Sequence, residues 1–173
     1  MKNKLGFILI IATLLSACGH QAPQRPSQRR GETPKADSAS IALMELNYQL
    51  AVAADKQLAQ LAQAQDEPYA LYEAGTWMRI IDRGEDTEIS PLFGESWTVH
   101  MRTYDLDGKL LLDSEGYYQL GKQELPLAVE MNIGELHSGG KARLLAPWYA
   151  AYGLQGTTHV PPYTNVIIEI ELK

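Results

Sequence analysis

Reactive side chains are few in this chain of 173 residues, and their spacing narrows what they can do. The histidines His20, His100, His137 and His159 are scattered, and no two lie at the separation that lets ligands share one metal ion. Asp105-Leu106-Asp107-Gly108 opens like a calcium loop. The remaining ligands and the closing glutamate of an EF-hand are missing, so the segment reads as a hairpin turn. There is no glycine-rich phosphate loop, no nucleophile elbow and no histidine placed to serve the lone cysteine, Cys18. No metal and no cofactor is expected.

Cys18 has a different chemistry in prospect. Lys2 and Lys4 precede an apolar run, residues 5–15, that is too short for a stable bilayer span. Leu15-Ser16-Ala17-Cys18 then resembles a bacterial lipobox, in which the cysteine sulfur takes a diacylglyceryl group before the chain is cut. The expectation is a signal peptide over 1–17 and a lipidated Cys18. An ordinary secretory signal cut after Ser16-Ala17 is the alternative. Several acyl chains on one residue hold a protein firmly at a membrane, because each buried methylene contributes about 0.8 kcal/mol. Gly19, in place of an acidic residue after the cysteine, resembles lipoproteins that proceed to the outer membrane, so the expected location is the cell envelope, lipid-anchored and facing the periplasm. Removing Lys2 and Lys4 leaves thirteen basic residues against twenty-one acidic ones, a formal charge of about −8, which argues against nucleic acid as a partner.

The remaining sequence must build whatever site exists. Residues 18–37 contain three prolines and few apolar side chains without a period, and read as a flexible tether. A helix is expected from Ser38 to about Gln63, within an N-terminal helical segment 38–68. Its apolar residues Ile41, Leu43, Met44, Leu46, Tyr48, Leu50, Val52, Leu58 and Leu61 cover a broad arc, which favours packing onto the same chain and a monomer. After Gly75 the period falls to two. Strands are expected at 76–81, 96–104, from Leu110 onward, at 141–145 and at 164–172, with one short helix within 124–134. The outcome is a compact α+β domain with one apolar sheet face.

The C-terminal elements also occur in a telling order. Leu120-Gly121-Lys122-Gln123-Glu124-Leu125 leads into the short helix; Gly139-Gly140-Lys141-Ala142-Arg143-Leu144, Pro147, Ala151-Tyr152-Gly153 and Val160-Pro161-Pro162 follow, and the last strand closes the chain. Residues 75–173 thus resemble the FKBP family of peptidyl-prolyl cis-trans isomerases, and the preceding helix resembles the extension on envelope lipoproteins of that family, including the gliding-motility-associated ones of Bacteroidetes. The resemblance implies a curved antiparallel sheet wrapped around one short helix, with an apolar active groove between them. It implies proline-containing exported polypeptides as substrates and no cofactor. Carried over by position, Asp113 and Tyr152 match the polar rim, and Val160 matches the aliphatic residue before the Pro-Pro pair. Met101, Leu112 and Ile168 stand where the family has aromatic residues, and Gly116 stands at an aromatic wall. The aromatic floor falls on Val129, or on Ala128 if Pro126 opens the helix; in that second alignment Leu125 supplies the backbone donor to substrate. A domain of this family that binds polypeptide without catalysis is the alternative.

Overall fold

The computed structural model describes residues 37–85 and 90–173. The expected signal peptide, Cys18 and the tether up to residue 36 lie outside the described residues. Ser38 to Lys173 form one compact unit.

The period of two from Gly75 onward produces five strands of a six-stranded antiparallel sheet. Its strands are β1 (Ala70–Leu71), β2 (Trp77–Asp82), β3 (Ser96–Tyr104), β4 (Leu110–Gln119), β5 (Lys141–Ala146) and β6 (Val166–Leu172), ordered β1-β2-β5-β6-β3-β4. Alternation sorts the side chains cleanly. Met78, Val99, Met101, Ala142, Leu144, Ile168, Ile170 and Leu172 point to one face and form the main core. His100, Arg102, Arg143, Glu169, Lys141 and Glu171 point to the other, where they form ion pairs across neighbouring strands. β4 starts at Leu110 as expected and runs to Gln119 because the alternation continues, with Glu115, Tyr117 and Gln119 outward and Ser114, Gly116 and Tyr118 inward. β1 was not foreseen; two residues carry no readable period.

The short helix expected within 124–134 is real but interrupted. An α-helical turn, α2 (Leu127–Glu130), is followed by a 3-10 turn at Ile133–Glu135. Pro126 stands at the N-cap with extended backbone, since its ring fixes φ and it has no N–H to bond backwards. Asn132 ends the helix: its side-chain amide donates to the Ala128 carbonyl at 2.7 Å and to the Glu73 carbonyl at 3.3 Å, and its Oδ1 accepts from the Glu73 N–H at 3.1 Å. One buried side chain therefore ties α2 to the turn before β2.

The N-terminal helix, α1 (Ser38–Gln63), is present with the expected bounds, but its packing differs from expectation. Only Ala54, Leu58 and Ala62 are buried, Leu58 and Ala62 against Trp77, Leu145, Ile167 and Tyr104 on the outer sheet face. Ile41, Leu43, Met44, Leu46, Tyr48, Leu50 and Val52 remain 36–69% exposed. The cause is the composition of that sheet face. Its apolar patch is small and the rest is charged, so it can seat only the last turns of α1, which leaves the apolar side chains of the earlier turns exposed.

Candidate functional site

The inner sheet face, α2 and the segment following β5 converge on one apolar cradle. Met101, Leu125, Ala128, Val129, Val160 and Ile168 all belong to its core, and Ala128, Val129, Val160 and Ile168 are fully buried. Either alignment of the expected floor, on Val129 or on Ala128, therefore falls on this core. Leu125 is buried just ahead of the Pro126 cap.

Tyr152 stands at the half-buried mouth of the cradle. Its hydroxyl meets the Oγ1 of Thr103, a buried residue of β3, at 2.8 Å. Burial pushes the phenol above its ordinary pKa, the Thr103 hydrogen bond acting in the opposite direction and the neighbouring Tyr118 adding to the rise. With Thr103 as donor, the phenol O–H is free to donate to a carbonyl. The backbone on each side of Tyr152 is held by its own turn: Ala151 N–H donates to the Pro147 carbonyl at 3.0 Å and Gly153 N–H to the Trp148 carbonyl at 2.8 Å.

Val160 is presented by the loop after Tyr152. Thr157 organises that loop, its Oγ1 accepting from the N–H groups of His159 at 3.2 Å and Val160 at 3.0 Å while its own N–H donates to the Val160 carbonyl. Gly156 is obligatory here. A Cβ at that position would sit 2.3 Å from the Val160 carbonyl oxygen, and its φ is +63°.

Asp113 is not brought to this groove. β4 pairs Asp113 with Arg102 and Glu115 with His100, all on the outer face, and Asp113 Oδ1 lies 2.7 Å from His100 Nε2. Tyr152 bonds Thr103 on the inner face, so the expected rim pair is split across the sheet. The reason lies in the register: Tyr104 pairs with Leu110 and Thr103 with Leu112, leaving Leu111 as an extra, unpaired residue. The bulge packs the half-buried Leu111 against the core and leaves Leu112, also half-buried, opposite Thr103. Leu111, not Leu112, is the apolar residue that meets the cradle.

Three contributors escaped the sequence reading. Tyr118 lies across Gly116, so that a Cβ at Gly116 would be 2.8 Å from Tyr118 Cζ and 2.9 Å from its hydroxyl. The wall missing at Gly116 is thus supplied from two residues along the same strand, a substitution visible in the Gly116-Tyr117-Tyr118 alternation. Thr103 is the second. Ser114 is the third, its Oγ buried on the inner face without a partner among the described residues. Glu130, also buried, holds the turn between β4 and α2 by accepting from the N–H groups of Gly121 and Gln123. Among the described residues no cluster of histidine, cysteine or carboxylate side chains could hold a metal ion.

No family model and no curated protein matches the chain. Solved structures do. A peptidyl-prolyl cis-trans isomerase from Pseudomonas syringae pv. tomato is 22% identical with a TM-score of 0.60, the match covering 72% of this chain and 92% of that one. FkpA from Escherichia coli is 19% identical with a TM-score of 0.60, over 78% of this chain and 63% of FkpA. The N-terminal domain of FKBP42 from Arabidopsis thaliana is 24% identical with a TM-score of 0.53, over 62% of this chain and 91% of that domain. At these identities the likeness defines the fold. The chain has the FKBP-like fold, a curled antiparallel sheet around a short helix, preceded by an N-terminal helix.

Proposed function

We propose that the chain is an envelope-anchored peptidyl-prolyl cis-trans isomerase of low catalytic efficiency that acts on proline-containing segments of exported polypeptides. The observation that carries this reading is the Tyr152 ring, held through its hydroxyl by Thr103 at the mouth of an otherwise apolar cradle. Rotation about an X-Pro bond breaks amide resonance against a barrier of about 18–20 kcal/mol, and lowering it needs no nucleophile or proton transfer. A dry surface that fits the twisted amide better than the planar one is sufficient. Tyr118, Tyr152, Leu111 and Trp97 form the half-buried rim that meets the prolyl ring, while the Tyr152 hydroxyl donates to a substrate carbonyl. The low efficiency follows from the absence of an aromatic floor and of Asp113 from the groove.

A second reading, a polypeptide-binding module without catalysis, is favoured by the enclosure of Val129, Val160 and Ile168, none of which reaches solvent. Proline-limited refolding of a reporter protein separates the two. The isomerase reading expects a rate increase proportional to the amount of the chain added, lower than that given by an FKBP with a full aromatic pocket. Titratable peptide binding with an unchanged refolding rate would leave only the binding module. For the anchor, lipid on Cys18 and residence in the outer membrane are expected, and Cys18→Ser moves the protein from the detergent phase to the aqueous phase or leaves it uncut. An unchanged partition after signal removal would remove that part of the proposal.

A further inference from the structure

The contacts of α1 with the remainder of the unit are concentrated on the segment that carries Tyr152. Tyr149 donates its phenol O–H to Asp55 Oδ1 at 2.5 Å. Trp148 Nε1 donates to the Leu50 carbonyl at 3.5 Å, Tyr163 OH to Asn47 Oδ1 at 3.0 Å, and Asn165 Nδ2 to Gln57 Oε1 at 2.9 Å. The partners on the loop side are linked to one another. The Trp148 indole meets the rings of Tyr149 at 5.6 Å and Tyr163 at 4.9 Å, and Asn165 Oδ1 accepts from the Trp148 backbone N–H at 2.9 Å. Tyr163 N–H in turn donates to the Gly153 carbonyl at 3.2 Å.

Tyr152 sits inside this frame. The 3-10 turn Trp148–Ala150 supplies the carbonyl that fixes Gly153, and Pro147 supplies the one that fixes Ala151. The Tyr149 phenol is pushed up, first by burial and then by the Asp55 carboxylate, so it stays a donor across the physiological range. Gly75 closes the approach from the other side: a Cβ there would meet the Tyr149 hydroxyl at 2.4 Å. The turn therefore has little freedom while Asp55 is in place.

We propose that α1 is a positioning element of the groove, with Asp55 acting through Tyr149 to set the turn that places the Tyr152 ring against Thr103. The proposal rests on the isomerase reading for its kinetic consequence but not for its structural one. The ring's position counts for more than its hydroxyl, because a shape-based site loses rate when a wall moves by a fraction of an ångström.

The test uses the full chain purified in detergent, with a proline-containing tetrapeptide as substrate. Asp55→Ala and Tyr149→Phe are each expected to lower kcat about tenfold with KM changed less than about twofold. The double variant should be no worse than either single one, because both remove the same contact. Asp55→Asn, which still accepts the phenol proton, should retain most of the rate, and Lys56→Ala, exposed on the same helix, should retain all of it. An active wild type whose kcat is unaffected by Asp55→Ala overturns the proposal, as does a loss that Asp55→Asn does not rescue. If the wild type does not catalyse, whether or not it binds the peptide, the isomerase reading falls, and positioning is then decided by the ring resonance of Tyr152, assigned with Tyr152→Phe. Displacement of that resonance in Asp55→Ala but not in Lys56→Ala supports the proposal; an unmoved resonance overturns it.

Discussion

Tyr152 combines two functions that a single substitution separates. Tyr152→Phe keeps the ring as a wall and removes the hydroxyl, which leaves Thr103 Oγ1 buried without its partner. An unsatisfied buried hydroxyl costs about 1–3 kcal/mol, so a lower denaturation midpoint is expected, while the refolding activity falls less than about threefold. A large kinetic loss with unchanged stability would show that the hydroxyl, not the ring, does the chemistry. The burial of Val160, and of Val129 and Ala128, was legible in the sequence because the order of motifs around them fixes their neighbours. Asp113 was not. Its face depends on a bulge at Leu111, and a run of three leucines looks the same whether or not one of them is left unpaired.

At the scale of elements, α1 is two helices in energetic terms. Leu58 is fully buried between the sheet patch and the helix, and Leu58→Ala is expected to destabilise the protein by about 2–5 kcal/mol. Met44 is 69% exposed, and Met44→Ala should change stability by no more than about 0.5 kcal/mol. Equilibrium urea unfolding of the two variants checks this, and equal effects would mean that the early turns are covered. The helix itself was plain from composition, with no glycine or proline over 38–63. Its coverage was not, since a broad apolar arc states how much surface a helix offers and nothing of how much its neighbour can accept. Similarly, the strands with clean alternation were readable to within a residue or two. The break in the short helix was hidden in the tertiary bonds of Asn132 to Glu73, fifty-nine residues away.

For the whole molecule, the titration of its tyrosines has a defined sign. Tyr69, Tyr149 and Tyr152 all hold their protons above the ordinary phenol pKa, in each case chiefly through burial. The folded chain therefore keeps protons that the unfolded chain gives up above pH of about 10. Their contribution to stability is complete below that pH and is lost as the pH rises further. Denaturant midpoints at pH 9, 10 and 11 should show the decline, and Tyr149→Phe should make it shallower; an identical slope in the variant would contradict the assignment.

The docking of α1 also has a mechanical side. Asn47, Leu50, Asp55, Gln57 and Leu58 meet their partners in succession along the helix, so tension applied upstream of Ser38 loads these contacts one at a time instead of together. The strands, bonded in register to their neighbours, share a load in parallel. Under tension the helix would peel before the sheet yields, and the third contact to open would be the Asp55–Tyr149 bond beside the groove. A chain held at one end by its N-terminal segment would then feel a pull at its site well before it unfolded.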